Sequence, residues 1–162
     1  MKIHSVKTPV VLLSMALGFI GCVNGQAADA QETSPSPRKL IARTYNSGFA
    51  LAHDTYNGIS AASDGKIYYV LSSESIDVGA QMFSFDPATG KIRHLADITE
   101  ACGEKGQKTI VQGKSHVNFV ESQGKLYFAT HIGYYSIIEG MEKMGIPPAG
   151  YKPYPGGHLL AY

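Results

Sequence analysis

"SDGKIYYVLS" (63–72) and "SQGKLYFATH" (122–131) align without a gap at an offset of 59 residues. Each stretch holds a strand end, a tight turn closing on glycine, and a second strand rich in aromatic and branched residues. Asp64-Gly65 is a strong signal for a type I′ turn, and Gln123-Gly124 is a weaker form of it. A second pair follows in the same order. "QMFSFDPATGKI" (81–92) alternates, turns at "PATG" and restarts, and "HLLAY" (158–162) matches "QMFSF" at an offset of 77. The larger second offset implies an insertion of 18 residues in the second unit. The repeating unit is therefore four antiparallel strands. They are expected at 57–63, 66–73, 81–86 and 91–96 in the first unit, and at 115–122, 125–132 and 158–162 in the second.

Both faces of the second hairpin are apolar. Val117, Phe119, Leu126 and Phe128 fall on one side, and Val120, Tyr127 and Ala129 on the other. A sheet with one wet face alternates more cleanly, so this pattern predicts neighbours on both sides.

Four-stranded units with D-x-x-T-G-K turns, here "DPATGK" (86–91), resemble the blades of kelch or quinoprotein-like β-propellers. The resemblance implies an all-β fold: about two four-stranded antiparallel blades of a truncated propeller spanning 40–162. Blade 1 would occupy about 57–96 and a partial blade 2 about 115–162. A propeller closes with about four to eight blades, so the missing blades are expected from the rest of a longer parent chain. A self-contained small β-sandwich is the alternative.

The first thirty residues read as a signal peptide. Lys2 and Lys7 precede the apolar run "VVLLSMALGFIGCV" (10–23), too short for a comfortable membrane span. "FIGC" resembles a bacterial lipobox that would make Cys22 a lipidated first residue, although Phe19 stands where Leu is usual. "ADA" (28–30) is a competing A-x-A cleavage site. Either way the body is expected outside the cytoplasm, periplasmic or at the cell surface, with membrane contact only through a lipid anchor. "QETSPSPRK" (31–39) has the composition of a flexible tether. Only Cys22 and Cys102 exist, so no disulfide framework is expected. Fourteen Lys and Arg against thirteen Asp and Glu leave no concentrated basic footprint, which argues against nucleic acid.

Register carried outward from Gln123-Gly124 sets Ser122 against Lys125 and, with no bulge, His116 directly against His131. Their Cβ atoms would then lie about 4.5–5.5 Å apart on one face. The short turns share one rim, so the long connections 73–80, 97–114 and 133–157 share the other, together with both histidines. The connection 133–157 adds Tyr134 and Tyr135. Ile137, Ile138, Met141 and Met144 are spaced for a short amphipathic helix. Tyr151, Tyr154 and His158 follow a Pro- and Gly-rich loop.

Three readings of the histidine pair stay open. It is a hydrogen-bonded structural pair, a divalent-metal site with His158 as a third ligand, or an acid/base pair. The last extends the resemblance to secreted propeller lyases of the oligogalacturonate and ulvan type. That resemblance implies β-elimination on an acidic polysaccharide, with His116 or His131 as base and Tyr134 or Tyr135 as acid. Lys114 is the nearby cation, and Asn118, Tyr151 and Tyr154 are candidate substrate contacts. The competing class is a non-catalytic scaffold that binds a glycan or protein at the long-loop rim. A quinoprotein dehydrogenase is a third; those often stack their cofactor on Trp, and this chain has none.

Overall fold

A computed structural model describes residues 39–162. The expectations for the leader, for Cys22 and for the tether up to residue 38 lie outside the described residues. The body is all-β and its sheets are antiparallel. In the first sheet, β1 (Ile59–Ala61), β2 (Ile67–Leu71), β3 (Gln81–Asp86) and β4 (Lys91–Asp97) pair in chain order. One helical turn, α1 (Ile98–Ala101), follows, capped by the Asp97 carboxylate, which accepts from the Glu100 N–H. The chain continues as β5 (Gln112–Lys114), β6 (Val120–Ser122), β7 (Lys125–Ala129) and β8 (His131–Ile132). It ends with β9 (Tyr135–Ile138), β10 (Met141–Met144) and β11 (Leu159–Ala161). A second sheet has the order β11-β7-β6, and β5-β8 and β9-β10 form two-stranded ribbons. No sheet closes on itself among the described residues.

The two repeat turns exchange the roles expected of them. Gln123 and Gly124 both have positive φ, 50° and 72°, as a type I′ turn requires. At the first turn only Gly65 is left-handed, at 80°, and Ala62 N–H reaches Lys66 O across a three-residue loop. The Asp64 carboxylate stabilises that loop by accepting from the Lys66 N–H and the Tyr68 hydroxyl.

The core forms where the two sheets face each other. Tyr68, Val70, Ala80, Met82 and Ile98 pack against Phe119, Leu126 and Phe128. Burying such a side chain contributes about 1.5–3 kcal/mol. Phe119 and Phe128 meet at 4.7 Å between ring centroids. Val117 departs from the expected face and lies 45% exposed.

One strand expectation and one helix expectation need correction. The strand expected at 115–122 is broken: residues 115–119 leave β5 and cross to the first sheet. There the Ser60 hydroxyl accepts from the Phe119 N–H at 3.0 Å, and Asn118 Nδ2 donates to Ile59 O. The helix expected over 137–144 is a β-hairpin instead, β9 paired to β10. Its turn is Glu139-Gly140, with φ of 54° and 75°. Ile137, Ile138, Met141 and Met144 are all exposed, so no packing surface favours a helix over the local turn.

Three backbones converge beside the core. Ser73 N–H donates to Gly113 O at 2.9 Å. A Cβ on Gly113 would lie 2.5 Å from Gly133 Cα, and one on Gly133 would lie 2.3 Å from Ser73 O. Only glycine fits either position, because the obstructing atoms are backbone. Gly133→Ala is expected to destabilise the fold by about 1–3 kcal/mol, read as a lower urea midpoint at unchanged slope. Gly150→Ala, in open space although left-handed, is expected to cost less.

Candidate functional site

The Ser73–Gly113–Gly133 crossing aims its neighbours at one rim. β5 and β8 pair with Lys114 opposite His131, and their register shifts between Gln112 and Lys114. The direct His116–His131 cross-strand pair expected from hairpin register is therefore not formed. The register from Gln123-Gly124 holds only from Ser122 back to Val120. The two rings nonetheless meet, with centroids 4.6 Å apart and planes tilted by 33°. His116 reaches His131 from the crossing segment rather than from a strand. The Tyr56 ring also stacks on His116, at 4.5 Å and 21°.

Lys114 adjoins Tyr56 in this group. It is 1% exposed. Its ammonium donates to the Tyr56 hydroxyl at 2.9 Å and to the Tyr135 hydroxyl at 3.1 Å. It also lies 4.2 Å above the Tyr56 ring centroid and 4.9 Å from that of Tyr135. Among the described residues, no carboxylate forms an ion pair with it. Burial works against its charge, but the two phenols outweigh burial and hold the pKa above the ordinary lysine value. The site thus carries a buried positive charge stabilised by phenols and π faces.

Asp54 is the acidic neighbour. The Ser72 hydroxyl donates to its carboxylate, and His53 Nδ1 lies 2.7 Å from Oδ2. Burial pushes Asp54 upward, but Ser72, His53 and the field of Lys114 bring it below its ordinary value. His53 is raised by its hydrogen bond to Asp54 and by Glu74. His116 is lowered by burial first, then by His131 and Lys114, with Asp54 opposing. His131 Nδ1 lies 3.0 Å from Ile132 O. A carbonyl only accepts, so Nδ1 carries the proton and Nε2 of the neutral ring keeps its lone pair.

The remaining candidates divide between other places. Tyr134 contributes its carbonyl, which accepts from the Gly145 N–H. Tyr135, not Tyr134, reaches Lys114. Asn118 binds backbone, as described above. Tyr151 belongs to a surface group, accepting from Lys108 and donating to Asp77. The Tyr154 hydroxyl donates to Gln112 Oε1 at 2.6 Å, and burial pushes its pKa up to about 12. His158 binds Glu104, Nε2 to Oε1 at 2.6 Å, in that same Gln112-centred network. A metal set of His116, His131 and His158 is not assembled. Among the described residues, no group of three or more His, Cys, Asp or Glu is placed to hold a metal ion. Cys102 is half-buried, and burial pushes its thiol up to about 11, which makes it a poor nucleophile.

His53, Asp54 and Tyr56 are the site residues that hairpin reasoning missed. Their signal is "HDTYNG" (53–58), which precedes β1 as "QGKSHV" (112–117) precedes β6, at the same offset of 59. Tyr56 also has a left-handed φ of 42°, an unfavourable conformation for an aromatic residue that clusters at functional sites. Comparison with family models, curated proteins and solved structures returned no match.

Replacing Lys114 by Met removes a like charge beside His116, so the His116 pKa is expected to rise. Asp54→Asn removes the opposing charge and is expected to lower it. Imidazole proton shifts followed through a pH titration check both signs.

Proposed function

We propose that this rim binds an acidic glycan, with the Lys114 ammonium meeting a ligand carboxylate. The sheets are read as β-propeller blades, and the rim as the long-loop face of the propeller. The observation that carries the reading is the Lys114 charge, buried yet without an ion-paired carboxylate. Its partners are neutral phenols and π faces, so an incoming carboxylate would supply the opposite charge that it lacks and form a stronger, charge-assisted hydrogen bond. The Tyr56–His116 stack beside it offers flat aromatic surface of the kind that sugar rings pack on. A body exported from the cytoplasm, as the leader suggests, would meet such polymers.

Two details favour a second reading, β-elimination on a uronic acid. In the tautomer that donates Nδ1–H to Ile132 O, the His131 Nε2 atom carries the ring's lone pair, and the Tyr135 phenol accepts from the Lys114 ammonium. In that reaction His131 takes the proton from C5. The C5–H electrons form the C4=C5 double bond as the C4–O bond breaks. The departing oxygen takes a proton from Tyr135, and Lys114 stabilises the carboxylate as charge builds on it. This lone-pair argument favours His131 over His116 as base, and the phenol contact favours Tyr135 over Tyr134 as acid.

Affinity electrophoresis in gels containing polyuronate tests the binding reading. The unaltered chain is expected to be retarded, Lys114→Met to migrate freely, and a neutral glucan gel to retard neither. Equal retardation of both forms would remove Lys114 from the site. The lyase reading requires ultraviolet absorbance from an unsaturated uronate product that disappears in His131→Ala while retardation persists.

A further inference from the structure

The Lys114 ammonium is covered in this structure. The residue is 1% exposed, and two phenols accept from its nitrogen, Tyr56 at 2.9 Å and Tyr135 at 3.1 Å. A ligand carboxylate therefore meets Lys114 only if one phenol gives way. The two are held very differently.

Tyr135 opens β9, which is laddered to β10, with Tyr135 paired to Met144. The Gly145 N–H, donating to Tyr134 O, ties the same end of the ribbon. Moving Tyr135 means breaking a hairpin. Tyr56 lies between Asp54 and β1, in a tight turn where the Gly58 N–H donates to Thr55 O. Among the described residues, no backbone hydrogen bond holds Tyr56 itself. Its φ of 42° is left-handed. That conformation is unfavourable for a residue with a Cβ and persists only where the surroundings hold it. What holds Tyr56 is its side chain. The hydroxyl accepts from the ammonium, the ring centroid is 4.2 Å from the same nitrogen, and the ring stacks on His116. Tyr56 is exposed, whereas Tyr135 is half-buried.

We propose that Tyr56 is a gate over Lys114, strained while shut and opened by the ligand carboxylate that takes its place on the ammonium. The proposal rests on the ligand reading above. The carboxylate replaces a neutral acceptor with an anionic one, and the freed residue returns to ordinary backbone geometry. Both gains fall on the open state, so the ligand shifts the population toward it. The departing ring also uncovers a face of His116, which presents flat surface to a sugar in the same step.

Reductive methylation with formaldehyde and a borane reductant, read by peptide mass spectrometry, tests the gate without any glycan. The exposed Lys125 is the internal reference. In the unaltered chain Lys114 is expected to react far more slowly than Lys125. Tyr56→Gly removes the ring and tolerates the left-handed φ, and is expected to bring the Lys114 rate toward that of Lys125. Tyr56→Asn, which also tolerates that φ, is the second variant, and circular dichroism checks the folding of both. Tyr56→Phe keeps the ring and loses the competing hydroxyl. In a polyuronate gel it is expected to bind about two- to tenfold more tightly than the unaltered chain. The gate is overturned by a Lys114 that already reacts like Lys125, by one that stays protected in both Tyr56→Gly and Tyr56→Asn, or by a Tyr56→Phe form bound no more tightly than the unaltered chain. If no form is retarded, the ligand reading fails and the carboxylate as opener with it, while the methylation rates still decide whether Tyr56 covers Lys114.

Discussion

The Ser73–Gly113–Gly133 crossing is the constraint on which the rest of the structure depends. Three backbones pass closer there than any Cβ allows. The approach ties the end of the first hairpin to β5 and β8. It seats Lys114 opposite His131 and turns the chain so that residues 115–119 carry His116 back over the site. Without that approach, Lys114 would be an ordinary lysine on a solvated rim.

Once Lys114 is buried, the chemistry around it follows from its charge. The ammonium needs acceptors, and the two it finds are phenols, one from each repeat unit. Tyr56 accepts an unfavourable φ, and its ring stacks on His116 while its hydroxyl accepts a hydrogen bond from the Lys114 ammonium. The same charge helps depress the His116 and Asp54 pKa values. A phenol-lined cation flanked by imidazoles suits an anionic ligand better than a metal ion, which a fixed ammonium would repel.

Much of the frame is legible in the sequence because it rests on local chemistry. The glycine turns, the offset of 59 and the alternation of Leu126 and Phe128 locate the paired strands and the core. The site is legible in part. His116 and His131 do meet, but through a crossing segment that no hairpin register describes, since the bulge at Gln112–Lys114 depends on contacts with Ser73. The burial of Lys114 was equally hidden, because only tertiary packing decides it. The apolar spacing of Ile137, Ile138, Met141 and Met144 suits a helix, and Glu139-Gly140 turns it into a hairpin with those side chains in solvent. His158 goes to Glu104, a partner 54 residues away, which no local pattern announces.

The central claim is that Lys114 is a buried, charged anchor for an incoming carboxylate. Nitrogen-15 NMR of the lysine side chains, recorded while a uronate oligomer is added, tests it most directly. The account predicts one slowly exchanging ammonium signal at neutral pH, absent in Lys114→Met, that shifts on addition of the oligomer and not on addition of a neutral one. A Lys114 signal that stays unmoved while backbone resonances elsewhere respond would contradict it.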